Sequence, residues 1–132
     1  MQKYEDSKIK IKITRMILWA YVPLGNFPRS EMHGLSAMTR ECLYRMLELV
    51  IKIERKHYKL TDMTELDCKL GFLGSLVAIA NERHYISLKQ YEIWVNHIAE
   101  IGKMIGGLIK WVKAKTEADA ERKRQEGLRK KG

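Results

Sequence analysis

Apolar positions recur along this chain at the three- and four-residue spacing of helices rather than the two-residue spacing of strands. Four helical segments follow from that pattern. The first covers residues 8–21. It opens I-K-I-K-I, an alternation that suits a strand, but no partner strand is visible and the pattern turns helical at Met16. Pro23, Gly25, Asn26 and Pro28 then interrupt the chain over residues 22–28 and are predicted to end that helix. A second helix starts near Pro28 or Ser30, since proline is tolerated in a first turn, and runs to His57. Met32, Leu35, Met38, Cys42, Leu43, Met46, Leu49, Val50 and Ile53 form its apolar stripe. Its reverse face carries Glu41, Arg45, Glu48 and Lys52, with opposite charges four residues apart. A third helix begins after residues 61–65, where Asp62 with Glu65, or Thr61 with Thr64, supplies a cap. A fourth opens at Ser87, with Gln90 completing a capping box, and continues through Val112. Short connections make sequential helices antiparallel neighbours, so the fold class is all-α, an up-down-up-down four-helix bundle. Residues 1–112 form the bundle, and residues 113–132 a basic extension, partly helical and fraying at its end.

The last two helices each carry a second face. On the third, Leu66, Leu70, Leu73, Leu76, Val77 and Ala80 line the core side, while Gly71, Gly74, Ser75 and Ala78 gather opposite, beside Asp67. On the fourth, Trp94, Ile98, Ile101, Ile105, Leu108, Ile109 and Val112 form the core stripe. Asn96, Ala99, Lys103, Gly106, Gly107, Lys110 and Ala114 occupy the other side. A glycine inside a helix costs about 1 kcal/mol relative to alanine, so three of them within residues 100–110 call for a compensating close approach. That approach is to another backbone or to a phosphate. Gly71, Gly74, Ala99, Gly106 and Gly107 are therefore candidates for an oligomer interface, and their repetition on two helices argues for self-association.

Charge sharpens this picture. The chain has 25 basic and 16 acidic side chains, a formal net charge of +9, which favours an acidic partner such as nucleic acid. Lys103 and Lys110 stand on a small and otherwise uncharged face, apart from Glu100 at its edge. Arg29 adds positive charge at the start of the second helix, where an anion would be welcome. Arg40 snorkels from the edge of a stripe. Lys113 and Lys115 begin the tail, where Asp119 with Lys123 and Glu126 with Lys130 sit four residues apart. These six basic residues, from Arg29 to Lys115, are the candidate nucleic-acid contacts. Trp19, Trp94 and Trp111 are read as packing residues rather than base-stacking ones.

No catalytic constellation stands out. The four histidines lack the spacing that brings metal ligands together on a helix, and Gly71 to Ser75 is no nucleophile elbow, having no strand before it. No enzyme activity, cofactor or metal is expected. Cys42 and Cys68 read as reduced, buried thiols of a cytoplasmic protein. The N-terminus lacks the apolar centre of a signal segment, and the longest uncharged apolar run, residues 70–80, is too short to span a bilayer.

Three segments carry a resemblance. F-P-R-S-E at residues 27–31 is followed by Gly34 and Leu35, L-D-C-K-L-G-F-L covers residues 66–73, and I-S-L-K-Q-Y-E at 86–92 runs into E-I-G-K-M-I-G-G-L-I-K at 100–110. Over residues 13–113 the chain resembles the accessory variability determinant proteins of diversity-generating retroelements. Lys103 stands where the family pattern has arginine, and Leu108 where tryptophan is frequent; lysine keeps the charge but not the bidentate geometry. The resemblance implies a four-helix protomer assembled into a barrel-like homo-oligomer, a pentamer. It also implies binding to the reverse transcriptase and to template RNA or an RNA–DNA hybrid, in support of mutagenic complementary-DNA synthesis. Four-helix proteins encoded in ribosomal RNA intervening sequences share the P-x-S-E region and form the alternative family.

Overall fold

The computed structural model describes residues 7–131; residues 1–6, on which the reading of the N-terminus rests, and residue 132 lie outside it. Four helices follow one another: α1 (Lys8–Gly25), α2 (Leu35–Arg55), α3 (Leu60–Glu82) and α4 (Leu88–Lys131), with a short 3-10 turn at Arg29–Glu31 before α2. There is no strand among the described residues. α1 packs on α2 and α4, and α3 packs on those same two helices, while the diagonal pairs stay apart. That ring of contacts is the layout of a four-helix bundle.

The strand-like opening of α1 is helical from its first residue, because Ser7 Oγ accepts the Lys10 N–H at 3.2 Å and caps the first turn. Pro23 does not stop α1. It lies in the last turn, where the hydrogen bond it forfeits is one of few, and Pro23 and Leu24 are both buried. The helix ends at Asn26, which donates to the Pro23 carbonyl at 3.1 Å.

α2 begins later than the pattern predicts. The stretch after Pro28 forms the 3-10 turn, and α2 proper starts at Leu35 behind Gly34. Met32 and Met38, assigned to the apolar stripe, are exposed: Met32 because the chain ahead of α2 turns away from the core, Met38 because it lies at the margin of the α2 stripe. α3, in contrast, begins earlier, at Leu60. Residues 61–65 lie inside its first turns instead of capping it, since burying Met63 completely requires them to be helical. Asp62 faces inward with them, 3.5 Å from Lys52 Nζ of α2. The charges of α2 also pair differently from the four-residue scheme. Arg45 reaches Glu48 three residues on and Glu65 of α3 at 3.1 Å, so one guanidinium joins two helices.

The expected cap of α4 forms in full. The Ser87 N–H donates to Gln90 Oε1 at 3.0 Å and the Gln90 N–H donates to Ser87 Oγ at 3.1 Å. α4 then continues through Lys131, about 66 Å at 1.5 Å per residue, twice the length of its neighbours. In its extension Asp119 pairs with Arg122 at 3.1 Å and Glu121 with Arg124 at 2.9 Å, at three-residue spacing. The foreseen partners Lys123 and Lys130 are not used in ion pairs.

The core gathers around Trp94, which is fully buried and meets the half-buried Trp19 edge-on at 5.4 Å between ring centroids. Ile13, Met16, Met46, Leu49, Leu66, Leu73, Ile101 and Ile105 close around them. Cys42 is buried as expected, its thiol donating to the Lys69 carbonyl at 3.3 Å, and burial holds that thiol above its ordinary pKa. Cys68 is exposed, contrary to the sequence reading, because it sits just beyond the edge of the α3 core stripe.

Candidate nucleic-acid interface

α4 turns Trp94, Ile101 and Ile105 into the core, and its 3.6-residue repeat therefore sends Lys103, Gly106, Gly107 and Lys110 outward. All of these outward residues are exposed, as are Asn96, Ala99 and Ala114 on the same face. Lys103, Gly106, Gly107, Ile109, Lys110 and Lys113 line a shallow groove of about 450 Å³. The glycines form its floor. None of the three lysines is held in an ion pair, so three ammonium groups stand free around a surface without side chains.

Glu100, the one acid near this face, is drawn toward α1. Its carboxylate accepts from Lys12 Nζ at 2.6 Å, and that hydrogen bond holds it below the usual carboxylate pKa. Its charge is thus balanced before it reaches the groove. His97, one turn earlier, lies 5.6 Å from the Trp19 ring, and desolvation pushes its pKa down.

The other candidate cations are dispersed. Lys115 bends over the Trp111 ring, 5.3 Å from its centroid, beside the groove rather than in it. Arg29 lies in the 3-10 turn, and the positive end of α2 is served by Glu31, whose Oε1 accepts the Leu35 N–H at 3.3 Å. The anion that Arg29 was expected to invite is therefore supplied by the chain itself. Arg40 donates to Ser36 Oγ and lines a separate groove of about 700 Å³ between α2 and α3. There Arg45 and Lys69 alternate with Glu41 and Glu48, a mixture of signs with little net pull on a polyanion.

The small-residue faces remain open. A Cβ built at Gly71, Gly74, Gly106 or Gly107 would meet no atom within 4 Å, so no close approach inside the protomer explains those glycines. Gly102 differs: its Cβ would lie 3.5 Å from Leu70 Cδ2, where α3 crosses α4.

One aromatic of α4 is more exposed than the core stripe beside it. Trp111 is 53% exposed, one helical turn after the groove residue Gly107, with the Tyr58 ring nearly perpendicular to it at 6.4 Å. Its position at the margin of the α4 stripe, four residues after Gly107, was the available signal. Among the described residues no helix is long and apolar enough to cross a membrane, and no group of three His, Cys, Asp or Glu side chains could hold a metal ion.

Comparison with known proteins agrees with this fold. No curated protein resembles the chain closely enough to count as a match. A family model described as bAvd-like matches residues 7–112, which takes in all of α1, α2 and α3 and the bundle portion of α4. The chain belongs to the bAvd-like family.

Proposed function

We propose that this chain is a non-enzymatic accessory protein of a diversity-generating retroelement, binding the element's reverse transcriptase and template RNA in support of mutagenic complementary-DNA synthesis. The protomer is an antiparallel bundle that assembles into a barrel-like homopentamer in the cytoplasm, with residues 113–132 as a basic extension. The observation that carries the RNA-binding part is the groove of unpaired Lys103, Lys110 and Lys113 over a glycine floor. Free ammonium groups on an open surface recruit phosphates with little desolvation cost and release counterions when they do so. With the lysine-lined α4 face given to RNA, the small-residue face of α3 around Gly71 and Gly74 supplies one side of the contact between protomers, since a cyclic pentamer joins two different faces of each protomer. Open space above those two glycines leaves room for a neighbouring backbone.

The test is co-purification with the neighbouring reverse transcriptase, with and without template RNA, read by light scattering. A complex holding several copies of this chain per polymerase is expected, and Lys103→Glu with Lys110→Glu should weaken RNA binding at least tenfold at low salt. An oligomer indifferent to polymerase and RNA would point instead to a structural bundle of the intervening-sequence type.

A further inference from the structure

The α2–α3 turn holds an unusual backbone. His57 and Tyr58 have φ of 59° and 58°, two successive non-glycine residues in the left-handed region. Such conformations persist only where the surroundings hold them, and they concentrate at functional positions. Here the turn is fixed by the Tyr58 N–H donating to the Ile53 carbonyl at 2.9 Å, and it sets the Tyr58 ring against Trp111, 6.4 Å between centroids and nearly perpendicular at 84°. Trp111 is thereby held against Tyr58 while 53% of it stays in solvent. Lys115 Nζ lies 5.3 Å from its centroid, and a cation–π contact and a stacked base can share the two faces of one ring.

Trp111 is also placed with respect to charge. It follows Gly107 by one helical turn, so the two share a side of α4, and Gly107 lines the lysine groove. Phosphate sites alone would suit any nucleic acid. An exposed aromatic on that side adds a surface that a base can use only when it is free of a partner strand, because duplex bases are already stacked.

Resting on the RNA-binding reading above, we infer that Trp111, held by Tyr58, is a stacking platform for an unpaired base, so that the α4 groove takes single-stranded RNA in preference to duplex or RNA–DNA hybrid. The backbone lies along Lys103, Lys110 and Lys113 while a base covers the indole.

The experiment compares a short single-stranded oligoribonucleotide with its duplex, by fluorescence anisotropy over a salt series, using the full chain. Trp111→Ala is expected to weaken single-strand binding about tenfold, leave duplex binding unchanged within about twofold, and preserve the salt slope; Trp111→Phe should restore most of the loss. Indole fluorescence should be quenched by the single strand in the parent chain and much less in Trp111→Phe, since Trp94 is buried and Trp19 half-buried. Unchanged single-strand affinity in Trp111→Ala would overturn the stacking role while leaving the phosphate groove in place. Equal losses on single strand and duplex would overturn it too, because a platform for unpaired bases cannot act on paired ones. A parent chain that binds neither RNA would sink the RNA-binding reading itself, and this inference with it.

Discussion

Burial acts on His97 in a way that solution pH can read out. The imidazole is half-buried against Trp19, and desolvation disfavours its charged form more than nearby Glu100 favours it; Lys12 adds to the downward push. The folded-state pKa therefore lies below the ordinary value of 6.5. As pH falls through that value the unfolded chain takes up a proton that the folded chain refuses. Stability is thus highest above about pH 7, declines as pH drops below about 6.5, and levels off once the folded imidazole also protonates. Glu100 works in a lower window: its depressed pKa contributes stability that is fully present above the usual value of 4.5 and is lost as pH falls from there through the lower folded pKa. His97→Gln should flatten the stability curve between about pH 5 and 7 and leave the more acidic fall intact, as measured by urea denaturation across pH. An unchanged slope in that interval would mean that another group carries it.

The start of α2 shows how a short motif can serve a whole element. Pro28 opens the 3-10 turn, Glu31 leaves it, and the Glu31 carboxylate returns to accept the Leu35 N–H at 3.3 Å, over the positive end of the helix. Gly34 is what makes room. A Cβ there would lie 2.7 Å from Glu31 Oε1, so alanine would displace the carboxylate from its cap. Gly34→Ala should cost about 1 kcal/mol, Glu31→Ala a similar amount, and the double variant clearly less than their sum, because both remove one interaction. Additive losses in a thermal or urea double-mutant cycle would refute that coupling. The cap of α4 at Ser87 and Gln90 was legible in the sequence because its partners are three residues apart and need nothing else. The Glu31 cap was not, since it depends on the turn that brings the chain back. The same division runs through the rest of the molecule. Core stripes of α2, α3 and α4 were readable because helical period alone selects residues such as Leu43, Leu73 and Ile101. Met38, Cys68 and Trp111 lie on stripe margins, where exposure depends on how far the next helix reaches, and that is a tertiary fact. For the candidate site, Lys103 and Lys110 could be placed on one face by period, but Lys113, read as the start of the tail, could not be joined to them, nor could the distance of Arg29 and Arg40 be seen.

At the scale of the whole molecule, positive charge is offered in two places: the α4 groove, within the bundle, and the extension beyond it. They are not equivalent. Residues 113–131 are exposed apart from half-buried Asp119, and two of the extension's arginines are already engaged by Asp119 and Glu121 at 3.1 and 2.9 Å. From residue 117 onward six basic side chains face four acidic ones, whereas the three groove lysines have no acid paired with them. The family match ends at residue 112, so it takes in Lys103 and Lys110 but neither Lys113 nor the rest of the extension. Affinity for a polyanion follows the number of phosphates neutralised, and a cation already paired within the chain gives up its partner to bind one. A chain ending at Thr116 should therefore keep its thermal midpoint within about 2 °C, since surface changes away from the core move stability little, and lose less than about fivefold in RNA affinity. Lys103→Glu with Lys110→Glu and Lys113→Glu in the full chain should lose far more and flatten the dependence of log Kd on log salt by about two to three contacts. Isothermal titrations at several salt concentrations would rank the two. If the shortened chain were the weaker binder, the interface would have to move from the bundle to its extension, and the glycines of α4 would need a different partner.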